Sequence, residues 1–111
     1  MYKILTTSLF ERNIRRLSKN FPRIKKDLLP LLEQLENEIF EGDLLQEIQA
    51  LVYKVRVGSI DQKKGKRGGF RLIYYIDEIK ETVYLAAIYA KAHQANITPE
   101  QYHKIKDFIN S

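Results

Sequence analysis

Residues that build disulfides and most metal sites are nearly absent from this chain of 111 residues. It has no cysteine and only two histidines, His93 and His103. Without cysteine there is no disulfide framework and no thiolate-bound zinc, and two isolated histidines do not form a metal site. The sequence therefore predicts a protein without a metal or another cofactor, in keeping with a reducing cytoplasm.

Long apolar runs are also missing. No stretch approaches the roughly 20 apolar residues of a membrane span. The opening segment, MYKILTTSLF, has too short an apolar run for a signal peptide and leads directly into Glu11 and Arg12. We therefore predict a cytoplasmic protein with no membrane partner.

Acidic residues are scarce in one segment, and that segment is strongly basic. The whole chain has a formal net charge of +5, yet the first 50 residues contain eight acidic and eight basic side chains. Between positions 54 and 71 one acid, Asp61, accompanies seven bases, a net charge of +6. The bases are Lys54, Arg56, Lys63, Lys64, Lys66, Arg67 and Arg71. Such a focused charge indicates an anionic macromolecule as partner, either a nucleic acid or an acidic protein.

The first half of the chain is predicted to form a strand and two helices. A strand over residues 2–6 precedes a helix that Ser8 can cap, and a second helix begins near Ile24 and ends before Gly42. Pro30 lies inside the second helix and predicts a kink or a break there, because proline lacks the amide proton and clashes with the preceding turn.

Three strands and a last helix complete the predicted order. The hydrophobic period is two over residues 53–57 and 71–76, and residues 83–89 form a more continuously apolar strand. Thr98 opens a capping box for the final helix. The predicted fold of the single domain, residues 1–111, is a small α+β sandwich of order β-α-α-β-β-β-α. Its sheet is antiparallel-rich, with the helices packed on one face.

Three cations fall on predicted strands, which favours a functional role. Lys54 and Arg56 share one side of their strand, and Arg71 can lie beside them on the next strand, where we expect it to project from an open sheet face. A strand holds a side chain more firmly than a loop does. The loop cations Lys63, Lys64, Lys66 and Arg67 are predicted to bind phosphates of a nucleic acid, although such a run is also typical of a solvated loop tip.

Strand tyrosines offer a second kind of contact with a nucleic acid. Tyr75 and Tyr89 are the candidates for stacking on a base beside the cations. Tyrosines on strands commonly pack in cores, so this role competes with a structural one.

Several motifs in order resemble one family over nearly the whole chain. They are Lys54-x-Arg56, Gly65-Lys66-x-Gly68-Gly69-Phe70-Arg71-x-Ile73-Tyr74-Tyr75, Ile88-Tyr89-Ala90-Lys91 and Asn96-Ile97-Thr98. Together they resemble the RelE/HigB toxins of bacterial type II toxin-antitoxin systems. The resemblance implies a toxin that enters the ribosomal A site and cleaves the messenger RNA there without a metal, until a cognate antitoxin protein neutralises it.

The resemblance also implies an active face. Lys54 and Arg56 match the family's cationic strand pair, Arg71 matches the arginine after its Gly-Gly-aromatic motif, and Lys91 falls close to its last strand cation. The turn after Lys91 is less charged than in better-characterised members, and their late stacking tyrosine has no clear counterpart. His93, Tyr89 and Tyr102 are the open candidates for that place.

The cations suit strand cleavage by the RNA's own 2′-hydroxyl, which needs a base, stabilisation of charge on phosphorus and an acid. The neighbouring charges disfavour the ammonium form of Lys54, which suits it to act as the base, and Arg71 can bind phosphate oxygens. Either Lys91 or His93 is the acid.

Two other functions remain open for this sequence. One is inhibition of DNA gyrase by a ParE-like protein of the same fold, against which the cations on one strand face argue. The other is a nonenzymatic RNA-binding or ribosome-associated module, for which a basic loop and strand suffice.

Overall fold

A computed structural model describes residues 1–62 and 68–111 of the protein. This part of the chain contains three helices and five strands, and it confirms the predicted α+β class. The elements are β1 (Lys3–Thr6), α1 (Ser8–Leu17), α2 (Ile24–Glu36), β2 (Asp43–Leu44), β3 (Val52–Val57), β4 (Phe70–Asp77), β5 (Thr82–Ala90) and α3 (Pro99–Asn110). The predicted order is confirmed, with the two-residue strand β2 as an addition.

The five strands form one sheet in the order β1-β5-β4-β3-β2. Among the described strands, only β1 and β5 pair in parallel and the other three pairs are antiparallel, so the sheet is antiparallel-rich as predicted. β4 lies at the centre. The short β2 escaped prediction because two residues, both exposed, are too few to show an alternating pattern.

The main core lies between the sheet and helices α1 and α2, on what we call the α1/α2 face. The alternate residues of each strand point to this face, as a period of two requires. The buried residues of this core are Phe10, Ile14, Leu17, Phe21, Ile24, Leu28, Leu31, Leu35, Val55, Val57, Phe70, Leu72, Tyr74, Ile76, Val83, Leu85, Ile88 and Ala90.

Helix α3 packs on the other side of the sheet, which we call the α3 face. Ile105 of α3 is buried in a second cluster with Ile73, Ala87 and Tyr89, which alternate with the residues of the main core. The placement of α3 therefore differs from the prediction that the helices pack on one face. The physical reason is that β4 and β5 are apolar on both sides and need cover on both.

Three helix details refine the predictions. Thr7, not Ser8, is the N-cap of α1, because the Thr7 hydroxyl accepts the Phe10 amide proton at 3.2 Å. Helix α2 continues through Pro30 and ends at Glu36. The capping box at Thr98 is confirmed. In residues 1–62 and 68–111, none of the helices combines the length and hydropathy needed to cross a membrane.

A β-bulge interrupts β5 at Ala86. Ile73 of β4 lies opposite Ala87, whereas the next residue, Tyr74, lies opposite Leu85, so Ala86 is an extra residue on β5. Such a bulge reverses the alternation of the strand beyond it. As a result Ile88 enters the main core on the α1/α2 face.

Side chains from the start of the chain hold this bulge. The Thr7 hydroxyl lies 3.1 Å from the Leu85 carbonyl oxygen and 3.0 Å from that of Ala86, to which it donates. Asn13 Oδ1 accepts the Ile88 amide proton at 3.0 Å. Both side chains belong to the α1 segment, so packing of α1 and the register of β5 depend on each other.

Candidate functional site

The central feature of the candidate site is a row of three residues across three neighbouring strands, which we call the Arg71 row. Arg56 on β3 lies directly opposite Arg71 on β4, and Arg71 lies directly opposite Tyr89 on β5. Directly opposed residues point to the same side of a sheet, about 5 Å apart at Cβ. All three therefore lie on the α3 face.

Lys54 extends the row along β3. It is two residues before Arg56 and on the same side of the strand, about 7 Å away along the chain. Lys54 is half-buried and Arg56 is exposed. The structure thus brings together the three strand cations that the sequence predicted to share a face.

Asp43 lies directly opposite Lys54 on β2, a neighbour that the sequence did not reveal. The approach depends on Gly42, whose φ is +112° and whose position leaves no room for a side chain. A Cβ there would lie 2.5 Å from the Lys54 carbonyl oxygen. The only signal in the sequence was the Gly42-Asp43 pair, which indicates a turn and not an edge strand.

Arg71 is buried, with 7% of its surface exposed. One of its guanidinium nitrogens, Nη1, donates to the Phe70 carbonyl oxygen at 3.2 Å. The expectation that Arg71 projects from an open sheet face is therefore corrected. Because β4 is the central strand, Arg71 has a neighbouring strand on each side.

Tyr89 is buried even more completely, with 3% of its surface exposed. Its hydroxyl has no hydrogen-bond partner among the described residues. Burial raises the pKa of Tyr89, and the positive charge of Arg71 opposes that rise. The predicted role of Tyr89 in base stacking does not fit this position, because a ring covered on all sides has no face to offer.

Tyr75 lies away from the cations. Its ring stacks on Tyr84 at 5.9 Å between centroids, and Tyr84 in turn meets the edge of Phe108 on α3. Tyr75 is four residues beyond Arg71 on β4, about 13 Å along the strand. The structure therefore places this predicted stacking residue under the end of α3 and not in the Arg71 row.

Lys91 lies beside the Arg71 row. Its amide donates to the Gly69 carbonyl oxygen at 3.0 Å, which extends the pairing of β4 and β5 by one step and places Lys91 diagonal to Arg71. Its ammonium group, Nζ, donates to the Ala95 carbonyl oxygen at 2.8 Å. Because of this backbone position, we count Lys91 as the fourth cation of the site. Its side chain is exposed.

His93 is placed elsewhere. Its ring centroid is 5.8 Å from that of Phe21, which packs edge-on against Phe70 in the main core. His93 is thus on the α1/α2 side of the sheet and not with Arg71. Of the two residues predicted as the acid, the structure brings only Lys91 to the strand cations.

Tyr102, the third candidate for the stacking position, joins α3 to the loop before β3. Its hydroxyl donates to the Glu47 carbonyl oxygen at 3.0 Å, and Lys106 Nζ lies 5.6 Å from its ring centroid. The ring is half-buried against the cluster that contains Tyr89. It is the one candidate of the three that keeps a partly exposed ring on the α3 face.

The predicted phosphate-binding residues Lys63, Lys64, Lys66 and Arg67 lie outside the described residues, but the start of their segment is anchored to α2. The backbone amide and Nε of Arg23 each donate to Asp61 at 2.9 Å, and the Ile60 amide donates to Asp27 Oδ1 at 3.1 Å. The hydrogen bonds from Arg23 lower the pKa of Asp61. Burial raises the pKa of Asp27.

Two clefts adjoin β3. The one nearer the cations has a volume of about 390 Å³ and includes Asp43, Lys54 and Arg56 in its lining. The larger one, about 480 Å³, lies between α2 and β3 and also contacts Arg56. Across residues 1–62 and 68–111, His, Asp and Glu do not gather in groups of three or more that could hold a metal ion.

Comparison with known proteins identifies a family and a fold that this chain matches. A family model described as the RelE toxin of the RelE/RelB toxin-antitoxin system matches residues 2–110. A mutant of the E. coli toxin RelE in the free state superposes with a TM-score of 0.60 and is 21% identical, with 97% of each chain covered. The isolated E. coli RelE toxin gives a TM-score of 0.56 at 20% identity, covering 97% of this chain and 99% of the other.

Proposed function

Because this chain belongs to the RelE toxin family, we propose that it acts as a ribosome-dependent endoribonuclease that cleaves translated messenger RNA. Membership supports the role of toxin in a toxin-antitoxin pair. The observation that carries the proposed chemistry is the Arg71 row with Lys54 on the same sheet face and Lys91 directly after the end of β5. Such a cluster attracts a phosphodiester and can stabilise the charge that grows on it during cleavage.

The proposed reaction is attack of the 2′-hydroxyl on the adjacent phosphorus. The 2′-oxygen loses its proton and bonds to phosphorus, the bond to the 5′-oxygen breaks, and that oxygen takes up a proton. Arg71 is the proposed stabiliser of the negative charge, since a guanidinium binds two phosphate oxygens at once. Arg56, directly opposite, adds positive charge to the same place.

Lys54 is the proposed proton acceptor. It lies on the same side of β3 as Arg56 and lines the cleft nearest the cations, which places an amine next to the proposed phosphate position. Lys91 is the proposed proton donor for the leaving oxygen, because it is the remaining cation next to Arg71.

The ribosome and the messenger RNA in its A site are the proposed partners of this face. The four cations are spread over β3, β4 and the turn after β5 and form no deep pocket of their own, so a free RNA chain would visit many unproductive geometries. A ribosome that holds the RNA in one position would orient the reacting groups, and such orientation contributes strongly to the rate of cleavage. Cleavage is therefore proposed to need translation.

A cognate antitoxin is the other proposed partner. The segment from Lys54 to Arg71 has a net charge of +6, so an antitoxin segment that joins acidic and apolar side chains can cover the α3 face or displace α3 itself. Attraction between opposite charges makes such an association fast and sensitive to salt. Hydrogen exchange of the toxin in complex with its antitoxin should then show protection around Arg71 or in α3.

Controlled expression in a bacterium tests the proposed function. Induction should stop growth, and mapping of RNA ends should show cuts inside translated regions while untranslated copies of the same message stay whole. The Arg71→Ala variant should leave growth and messages unaffected, whereas Lys80→Ala, which removes an exposed cation in the β4–β5 turn, should remain toxic. Growth arrest with intact messages and broken DNA would replace this function with gyrase inhibition.

The proposed catalytic groups are all side chains of the protein, so the reaction is expected to proceed without a metal at the toxin's own site. The ribosome itself needs magnesium, and chelation of the whole reaction is uninformative for that reason. Metal content and metal titration of the purified toxin are the suitable measurements. A stoichiometric ion whose removal abolishes cleavage would contradict this part of the proposal.

A further inference from the structure

Tyr89 holds a position that packing alone does not explain. Its hydroxyl is buried and has no hydrogen-bond partner among residues 1–62 and 68–111. Buried hydroxyls almost always have a partner, and leaving one without any lowers stability. A phenylalanine would fill the same space without that cost. The hydroxyl therefore points to a ligand or a reaction as the source of its partner.

The surroundings of the hydroxyl narrow the class of ligand. Burial keeps the phenol protonated at neutral pH, since it raises the pKa of Tyr89 and the charge of Arg71 only offsets part of the rise. A protonated phenol beside a guanidinium presents two donors and no strong acceptor. The missing partner is thus an acceptor, and one with negative charge is favoured by Arg71 and Arg56 in the same row.

The bulge at Ala86 is what brings Tyr89 to this row. Without the extra residue the alternation of β5 would turn Tyr89 to the α1/α2 face and Ile88 to the α3 face. Thr7 and Asn13 hold the bulge with hydrogen bonds from a different part of the chain. Bulges commonly occur beside active sites, where they redirect a side chain.

We propose that the Tyr89 hydroxyl and the Arg71 guanidinium together form a binding site for one phosphate group, in which Tyr89 donates its proton to a phosphate oxygen. The inference rests on the proposed function for the identity of the phosphate, which is the one at the cleaved bond of the RNA. For the phosphate to enter, Arg71 exchanges its 3.2 Å hydrogen bond to the Phe70 carbonyl oxygen for one to the ligand. The proposal requires that this exchange also opens the Tyr89 hydroxyl to the phosphate.

Titration of the purified chain with inorganic phosphate tests the site without ribosomes. In nuclear magnetic resonance spectra, phosphate should shift the Nε–H signal of Arg71 and the Cζ signal of Tyr89, and an equal ionic strength of chloride should not. Tyr89→Phe should weaken phosphate binding at Arg71 about fivefold. Tyr84→Phe is the matched control, because Tyr84 is on the same strand and face but lies opposite Tyr75, and it should bind phosphate as the unsubstituted protein does.

Single-turnover cleavage on translating ribosomes supplies the functional readout. Tyr89→Phe should lower the maximal rate about tenfold and change the half-saturating toxin concentration by less than twofold. Its melting temperature should be equal to or above that of the unsubstituted protein, because the variant no longer buries a hydroxyl without a partner. A loss of activity through misfolding would instead lower the melting temperature.

The outcomes separate this inference from the proposed function. If the unsubstituted protein binds phosphate through Tyr89 but does not cleave message, the proposed function fails and the phosphate site stands. If it cleaves message and Tyr89→Phe does so at the same rate with the same phosphate affinity, the site is refuted and the proposed function stands. Phosphate that leaves both the Arg71 and Tyr89 signals of the unsubstituted protein unchanged also refutes the site.

Discussion

Replacement of Asn13 by alanine removes the hydrogen bond that fixes the end of the β5 bulge. Asn13 Oδ1 accepts the Ile88 amide proton at 3.0 Å, and Ile88 is only 1% exposed, so its amide has little access to water. Loss of the partner of a buried donor costs about 1–3 kcal/mol. Replacement of asparagine by alanine inside helix α1 regains about 0.5 kcal/mol of stability, because alanine has the higher helix propensity.

The expected net loss is therefore about 1.5 kcal/mol in the free energy of unfolding. For a chain of this size the entropy of unfolding converts each kcal/mol into roughly 4 °C, so the melting temperature should fall by about 6 °C. Urea denaturation followed by circular dichroism measures the first quantity, and a thermal scan measures the second. The slope of the urea transition should not change, because the same surface is exposed on unfolding.

Asn13→Asp is the matched control, because aspartate has nearly the same shape and keeps an acceptor for the Ile88 amide. Asn13→Asp should retain most of the stability and cleave messenger RNA like the unsubstituted protein. Asn13→Ala should lose more cleavage activity than its unfolded fraction accounts for. An Asn13→Ala protein as stable as the unsubstituted one would refute the assignment of this hydrogen bond as the support of the bulge.

Three further predictions concern the site and its flanks. Arg71→Ala should lower the single-turnover cleavage rate on ribosomes at least 100-fold, as loss of a charge-stabilising donor typically does, while Lys80→Ala should change it less than twofold. Gly42→Ala should lower the free energy of unfolding by more than about 1 kcal/mol in urea titrations, since φ there is +112° and the new Cβ would lie 2.5 Å from the Lys54 carbonyl oxygen. An unchanged value would contradict the close approach. Asp27→Asn should raise the melting temperature at pH 7, because burial raises the pKa of Asp27 and its ionised form weakens the fold above that pKa. The gain should disappear as the pH falls below the ordinary value of 3.8, where the aspartate is protonated in both states, and a gain independent of pH would show another cause.

The strand cations could be predicted from the sequence because their placement depends on local alternation. Lys54 and Arg56 differ by two positions, so any strand through them puts both on one side, and Arg71 follows a glycine pair that ends the loop. Gly69 also has a steric role, because a Cβ there would lie 2.0 Å from the Val57 carbonyl oxygen. Local periodicity was therefore enough to predict this part of the site.

Tyr89 and His93 could not be placed in the same way, because their surroundings depend on distant contacts. The face of Tyr89 is set by a bulge that Thr7 and Asn13 hold from more than 70 positions away in the chain. His93 follows a strand end in a turn, and its contact with Phe21 arises only when the α1–α2 connection packs on the sheet. No sequence pattern reports a bulge whose hydrogen bonds come from another element.

The prediction that all helices pack on one sheet face failed for a similar reason, because the face that α3 covers is set by tertiary packing. A capping box defines where a helix begins, and the one at Thr98 was read correctly, but it does not say which sheet face the helix covers. The apolar residues on both sides of β4 and β5 were the relevant signal. They require a second layer, and α3 is the remaining helix that can supply it.

The position of α3 divides the α3 face into two parts along the strands: apolar residues under the helix and cations beyond it. The row of Lys54, Ile73 and Ala87 lies next to the Arg71 row, so buried apolar residues under α3 adjoin the cations directly. Charges at the border of a region of low dielectric interact more strongly with an anion than fully solvated charges do. Under the proposed function, we therefore expect Ile73 and Ala87 to strengthen the attraction of Arg71 for a phosphate. Displacement of α3 would let water reach this apolar row and weaken that attraction, so a partner that moves α3 would reduce phosphate binding even where it leaves the cations uncovered.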